Sequence, residues 1–366
     1  MLPYHPALRF KQGEYLAGAR IPRNMQRHIE PLFIIPPPKE RDPEKGAPLT
    51  VDELAFKTGD RIAKHWPLYR AYLDPQYVAP FLRDEGLVRM FQIAQKSNPN
   101  LIAVATVSAL HNPIYRGFLR PAWPRLAIHL PFGEVDGDAL RAGLAAIGCR
   151  AEDCVVFLDF TGADLTPDLA VGAVSGTIDS LAEIAPWGRI VFLGSNYPTT
   201  NPAPDDGEVS VPRNEWLTYQ RAAKDCNVSP DKLGYGDFGA DCGEIKFPKS
   251  GKGGMPIPHV RYTTATDTIV VRGNKTSKRS ESMRKVFSRL LSGGSFAGQG
   301  FSYADRNMWL AANGAGGCGG PTEWREWNMA HHMVRVIRDL GAMVGLTFEE
   351  GPVTAIAEQG VLFETE

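Results

Sequence analysis

Residues 154–160 read Cys-Val-Val-Phe-Leu-Asp-Phe, a run that is apolar at consecutive positions and then meets a carboxylate. A strand with one wet face alternates apolar and polar residues. One that is apolar throughout is covered on both faces, as strands of a parallel sheet are. The same kind of run recurs at residues 4–11, 31–35, 68–74, 101–107, 125–132, 189–195 and 232–237, which makes eight candidate strands. Helical patterns lie between them. Residues 51–65 open after Thr50 with Glu53 three positions on, the arrangement of a capping box. Residues 138–147 and 175–184 repeat apolar side chains at helical spacing, and Gly148 stands where a helix would stop. Eight strand–helix repeats in about 240 residues predict a (β/α)8 TIM-like barrel. A doubly wound open sheet is the alternative.

Beyond residue 240 the pattern changes. Residues 260–264 and 268–272 alternate and are β-branched about a turn at 265–267, which reads as a hairpin. Met283, Val286, Phe287, Leu290 and Leu291 follow at the spacing of an amphipathic helix. A glycine-rich stretch, 314–320, leads through Pro321 into a helix over 322–340. Residues 1–240 are therefore expected to form the barrel repeats, and 241–366 an elaboration of hairpin and helices that closes the barrel within one integrated domain.

The composition, 43% hydrophobic and 22% charged over 366 residues, is that of a folded globular chain. Its apolar runs fall far short of the roughly 20 residues of a membrane span. The N-terminus has no signal-peptide core, and five cysteines show no CxxC spacing. These features predict a cytoplasmic protein with no membrane partner, disulfide framework or zinc ribbon. The net charge of −1 conceals an asymmetry. Residues 245–289 hold eleven cations (Lys246, Lys249, Lys252, Arg261, Arg272, Lys275, Lys278, Arg279, Arg284, Lys285 and Arg289) against Asp267 and Glu281, a net +9 that leaves −10 elsewhere. Clustered cations attract polyanions, so the expected partner is a phosphate-bearing ligand, a nucleotide or nucleic acid. A solvated surface helix is the competing reading.

In a parallel barrel the functional face is the C-terminal end of the strands. Lys11, Asp74, Asp159, Ser195 and Asp237 all end candidate strands, and Glu14 follows the first. Three carboxylates at one mouth repel each other unless a cation offsets them. Asp74, Asp159 and Asp237 are thus candidate ligands of a Mg²⁺ or Mn²⁺ ion, with phosphate as the partner ligand. Simple capping of the following helix is the bland alternative for each. In a catalytic reading Asp237, Asp159, Glu14 and His332 serve as acids or bases in phosphodiester hydrolysis, while Lys11, Arg261 and Arg272 stabilise developing negative charge. His331 shares a helix face with Trp324, Trp327 and Val334 and is expected in the core or a cleft. His332 shares a polar face with Asn328 and Arg325. The 314–320 stretch lacks the Gly-Lys-Ser/Thr ending of a phosphate loop and is expected to be a lid or crossing with Cys318 exposed.

Five motifs in order, RFKQGEYLA (9–17), YGDFG (235–239), VRYTTATDTIVVRG (260–273), FSYADRNM (301–308) and GGPTEWREWNMAHHM (319–333), resemble the phage-associated beta protein family, often called "beta family protein", over nearly the whole chain. The resemblance implies a phage or prophage and host-defence setting, and supplies no established reaction. It singles out Lys11, Gly13, Glu14, Asp237, Arg261, Tyr262, Arg272, Gly273, Asp305, Trp324, Arg325, His331 and His332. Among these, Lys11, Arg261, Tyr262, Arg272, Asp305 and Arg325 are expected to bind the substrate. The chain departs from the pattern in the second strand, where Ile34 and Ile35 stand in place of an expected acid. Two rivals accompany the hydrolase reading. One is a non-catalytic barrel scaffold that binds a protein or nucleic-acid partner through the basic C-terminal region. The other is a barrel that processes sugars or metabolites.

Overall fold

Strands that are apolar on both faces need a filled interior and an outer cover, and a closed barrel supplies both. A computed structural model describes residues 3–38, 49–246, 256–274 and 278–348; Lys249, Lys252 and Lys275 of the basic stretch lie outside the described residues. Strands β1 (Tyr4–Arg9), β2 (Leu32–Ile34), β3 (Ala71–Asp74), β4 (Leu101–Thr106), β5 (Leu126–Pro131), β6 (Cys154–Asp159) and β7 (Arg189–Gly194) pair in parallel. After β7 the chain makes an excursion, β8 (Glu208–Pro212), and returns to the wall as β9 (Leu233–Asp237). β9 bonds to β7 on one side and β1 on the other, which closes an eight-stranded (β/α)8 barrel. Each of the eight expected strands takes its place in that wall, and the open-sheet alternative is set aside.

Strand periodicity divides the wall residues into two sets. Ala7, Ile34, Tyr72, Val104, Phe157 and Leu193 fill the interior. Tyr4, Leu8, Phe33, Leu73, Leu158 and Tyr235 point outward into the layer beneath the helices. Ile34 and Ile35 are both buried, so the second strand contributes apolar packing where the family pattern led us to expect an acid.

Ten α-helices of the described residues surround this wall and its elaboration: α1 (Gln12–Ala19), α2 (Arg23–Gln26), α3 (Val51–His65), α4 (Ala79–Ser97), α5 (Gly137–Ile147), α6 (Pro167–Ile184), α7 (Asn214–Asp225), α8 (Arg279–Ser292), α9 (Tyr303–Ala312) and α10 (Pro321–Met343). The capping box of α3 forms as its sequence requires. The Glu53 N–H donates to Thr50 Oγ1 at 3.3 Å, and the Thr50 N–H donates to Glu53 Oε2 at 2.9 Å. Gly148 ends α5 at φ 69°, a left-handed turn that glycine adopts without a Cβ clash.

The elaboration grips the barrel in two places. Strands β10 (His259–Thr263) and β11 (Asp267–Arg272) form the expected hairpin, and β8 adds to the β11 edge, so a strand from within residues 1–240 belongs to the C-terminal sheet. α10, which also lies against β10, packs on α1. Gly13 permits this approach, since a Cβ there would come within 2.7 Å of the Thr322 carbonyl oxygen and 2.9 Å of Arg325 Cβ. The segment 314–320 is a tied crossing. The Ala315 N–H donates to the Leu310 carbonyl at 2.9 Å, and the Trp324 indole N–H to the Cys318 carbonyl at 2.7 Å. Cys318 is buried, contrary to the expected exposure. No helix of the described residues is long and apolar enough to cross a membrane.

Hairpin, α9 and α10 are joined by one buried polar lock. Asp305 accepts from the Tyr262 hydroxyl at 2.6 Å and from Ser302 Oγ, and lies 2.9 Å from His331 Nδ1. The other ring nitrogen of His331 meets the Thr263 carbonyl at 2.8 Å, and the Tyr262 and His331 rings stack at 3.7 Å. Asp305 and His331 have no exposed surface. Removing the shared acceptor strands three buried partners, so Asp305→Ala is expected to lower the unfolding free energy by about 3 kcal/mol. Urea midpoints with unchanged slope would measure this; a loss below about 1 kcal/mol, the net worth of an ordinary hydrogen bond, would contradict the lock.

Candidate functional site

The barrel mouth carries two charged groups at the strand C-termini. In the first, His129 of β5 bridges two carboxylates, with Nδ1 2.8 Å from Asp74 Oδ2 and Nε2 2.9 Å from Asp159 Oδ2. Asp74 and Asp159 sit at interior positions of β3 and β6, in step with Tyr72 and Phe157, and His129 occupies an interior position of the strand between β4 and β6. Backbone N–H groups complete the carboxylates: Gln76 donates to Asp74 at 3.0 Å and Thr161 to Asp159 at 2.8 Å. Burial by itself disfavours a charged imidazole, but hydrogen bonds to Asp159 and Asp74 and their negative charges outweigh it. The His129 pKa rises to about 10. The imidazolium is therefore the cation that lets these two acids coexist.

The second group is dominated by guanidinium. Asp241, just past β9, accepts from Arg9 at 2.9 Å, Arg261 at 2.7 Å and Arg325 at 3.1 Å. Burial opposes its charge, but the three guanidiniums, Arg261 first, hold the carboxyl far below the usual range. Arg325 also donates to Glu14 at 2.7 Å. Burial pushes the Glu14 carboxyl up despite that arginine. Lys11, which precedes α1 two residues past β1, is held below the ordinary lysine value by burial and by the charge of Arg325. The Arg261 guanidinium lies 4.4 Å from the centre of the Tyr197 ring, a cation–π contact that spreads the cluster toward the β7 end. Among the described residues, Arg9, Lys11, Arg261 and Arg325 gather here with Asp241 and Glu14.

The two groups share one mouth. Arg9 reaches over the following segment to the carbonyls of Cys242 and Glu244, at 3.0 and 3.3 Å. A Cβ on Gly243 would meet Thr161 Oγ1 at 2.5 Å, which places that segment beside the Asp159 turn. The Tyr77 hydroxyl, raised first by burial, also feels Asp74 and Asp159 on one side and Arg9 on the other.

Of the expected residues, Lys11, Glu14, Arg261 and Arg325 come together, as do Asp74 and Asp159. Asp237 does not join them. It lies at an outward position of β9, in step with Tyr235, and is 1% exposed. It accepts from Tyr4 at 2.5 Å, Tyr235 at 3.0 Å and the Gly239 N–H at 2.9 Å, with His332 Nε2 at 3.0 Å. Burial works against this carboxylate, and His332 and Tyr4 overcome it and hold its pKa below the ordinary value. Asp237 and His332 thus tie α10 to the outside of the barrel wall, which corrects their expected place at the mouth. The three-carboxylate metal site loses its third member for the same reason, and the described residues hold no group of three or more His, Cys, Asp or Glu arranged to take a metal ion.

Three other residues expected to bind the substrate are engaged elsewhere in the fold. Tyr262 and Asp305 are spent in the internal lock. Arg272 donates to the Ala203 carbonyl at 2.9 Å and anchors the chain between β7 and β8. Sequence reading passed over His129, Arg9 and Asp241. A histidine at an inward position between two acid-bearing strands, and an arginine two residues before Lys11 at the end of β1, were the available signals.

The bridge has a pH signature. A folded-state pKa above the ordinary 6.5 means that the His129 contribution is fully present below about pH 6.5 and is lost as pH rises through about 10. Wild-type unfolding free energy should therefore fall across that window relative to His129→Gln, whose profile should be flatter. Parallel profiles from chemical denaturation would contradict the imidazolium assignment.

A family model described as "Beta protein" matches residues 4–338. No curated protein matches the chain. With the matched region spanning the barrel and most of α10, the chain belongs to the beta protein family.

Proposed function

We propose that the barrel mouth binds a phosphate-bearing ligand, a nucleotide or a nucleic-acid end, with Lys11, Arg261 and Arg325 as its anion contacts. The observation that carries this reading is the gathering of Arg9, Lys11, Arg261 and Arg325 about Asp241 and Glu14. Planar guanidiniums suit the paired oxygens of phosphate, and a partly buried setting strengthens each contact. Arg325 is one-third exposed, so part of its fork faces outward.

The hydrolytic form of the reading uses the other half of the mouth. Asp159 is 8% exposed against 1% for Asp74, which makes it the carboxylate within reach of an attacking water. It takes the water proton as the hydroxyl attacks phosphorus and the ester P–O bond breaks, the leaving oxygen departing with the bonding pair and taking a proton from solvent, while the arginines meet the charge that develops on the phosphoryl oxygens. His129 positions Asp159, since both of its ring nitrogens are occupied by carboxylates. Glu14 is committed to Arg325. A Mg²⁺ or Mn²⁺ ion, if used, would be held by Asp159 together with the ligand's own phosphate, the usual manner for Mg²⁺.

Calorimetric titration with a nucleotide panel and inorganic pyrophosphate tests this. Lys11→Ala and Arg325→Gln are each expected to weaken binding about tenfold, the worth of one charge-assisted hydrogen bond. Asp159→Asn should retain binding and abolish any phosphodiesterase turnover. Failure of the wild-type protein to bind any of these anions would overturn the reading.

A second reading rests on α8, where Lys278, Arg279, Arg284 and Lys285 are exposed beside the single acid Glu281. This face suits the backbone of a nucleic acid bound without catalysis. Reversing these four charges is expected to abolish salt-sensitive binding of single-stranded RNA while leaving nucleotide affinity at the mouth unchanged. RNA binding that survives the reversal would remove α8 from the account.

A further inference from the structure

At the end of the barrel opposite the mouth, two cysteines flank the turn that joins α5 to β6. The sulfurs of Cys149 and Cys154 are 3.6 Å apart, and both lie against the Arg150 carbonyl, at 3.7 and 3.4 Å. The backbone holds both residues in place. The Cys149 N–H donates to the Leu144 carbonyl at 3.1 Å behind the left-handed Gly148, and Cys154 opens β6 in register with Leu126 of β5. Both are buried, Cys149 at 6% exposure and Cys154 at 0%. No third metal-binding side chain joins the pair among the described residues, so the two thiols face each other alone.

We propose that Cys149 and Cys154 form a thiol–disulfide couple that hydrogen peroxide oxidises. A disulfide bond is about 2 Å long, so the sulfurs close a gap that small rotations about the two Cα–Cβ bonds can span. The roles of the two sulfurs differ. The Cys154 S–H bond draws Cys149 below the ordinary thiol pKa; burial opposes this and the nearby Arg125 guanidinium adds to it. That favours Cys149 as the attacking thiolate. It attacks one oxygen of the peroxide, the O–O bond breaks, and the departing hydroxide takes a proton to leave as water, giving a sulfenic acid on Cys149. The Cys154 sulfur then attacks the Cys149 sulfur, the S–S bond forms, and the hydroxyl leaves as a second water with the Cys154 proton. Two thiols give up two electrons and two protons, and one peroxide becomes two waters.

The test treats the folded, full-length protein with hydrogen peroxide, blocks the remaining thiols by alkylation, and maps the peptides by mass. The expected result is a Cys149–Cys154 linked peptide, lighter by two hydrogens and restored by dithiothreitol, with half-buried Cys226 still alkylated as the internal control. In Cys154→Ser, a sulfenic acid on Cys149 should be trapped by dimedone. In Cys149→Ser, Cys154 should stay reduced, so the proposal remains testable if the first variant fails to fold. Alkylation of both cysteines to the same extent before and after peroxide, or sulfinic acid on Cys149 with Cys154 free, would overturn it.

Discussion

Neighbouring residues of a strand point to opposite sides of a barrel wall, and this parity determines where the charges that end the barrel strands come to lie. Asp74, His129 and Asp159 take inward positions at the C-terminal ends of three strands and meet at the mouth. Asp237 ends its strand at an outward position, within reach of α10 and of the outward tyrosines of β1 and β9. It becomes the acceptor that Tyr4, Tyr235 and His332 need, and it fixes α10 against the wall. A shift of one residue in the β9 register would exchange Asp237 with Phe238, placing a carboxylate in the barrel core and an aromatic ring against His332.

With parity set, the mouth becomes a problem of charge balance. Two inward carboxylates are held together by a protonated imidazole, an internal cation that the fold supplies itself. On the adjoining side the balance tips the other way, because three arginines share Asp241 and a lysine stands close by. An isolated buried arginine would be costly, but each of these has a carboxylate or carbonyl partner. Gly13 is part of the same arrangement. Without a Cβ it lets α10 lie close enough for Arg325 to reach both Glu14 and Asp241.

Much of the fold could be read from residues because the barrel strands are buried on both sides and announce it. The hairpin, the Thr50–Glu53 cap and the Gly148 stop follow equally local rules. β8 escaped because Glu208, Ser210 and Pro212 are exposed and five residues carry little pattern; only its partner β11 makes it a strand. The site was half legible. Residues that end apolar runs identified Lys11, Asp74 and Asp159, but a terminal carboxylate says nothing about which way it points, so Asp237 was grouped with the others. His129 was hidden inside the run Leu-Ala-Ile-His-Leu-Pro, and its role depends on acids 55 and 30 residues away in sequence. Tyr262, Asp305 and His331 show why motif residues need not touch a ligand: they bind one another, out of reach of solvent.

The central claim is that the mouth of this barrel is an anion site built by Arg9, Lys11, Arg261 and Arg325. A crystal structure of the protein grown with inorganic pyrophosphate tests it most directly. The account requires pyrophosphate density within hydrogen-bond distance of Lys11, Arg261 and Arg325. Density confined to the exposed face of α8, with no pyrophosphate oxygen bonded to the mouth arginines or Lys11, would contradict it.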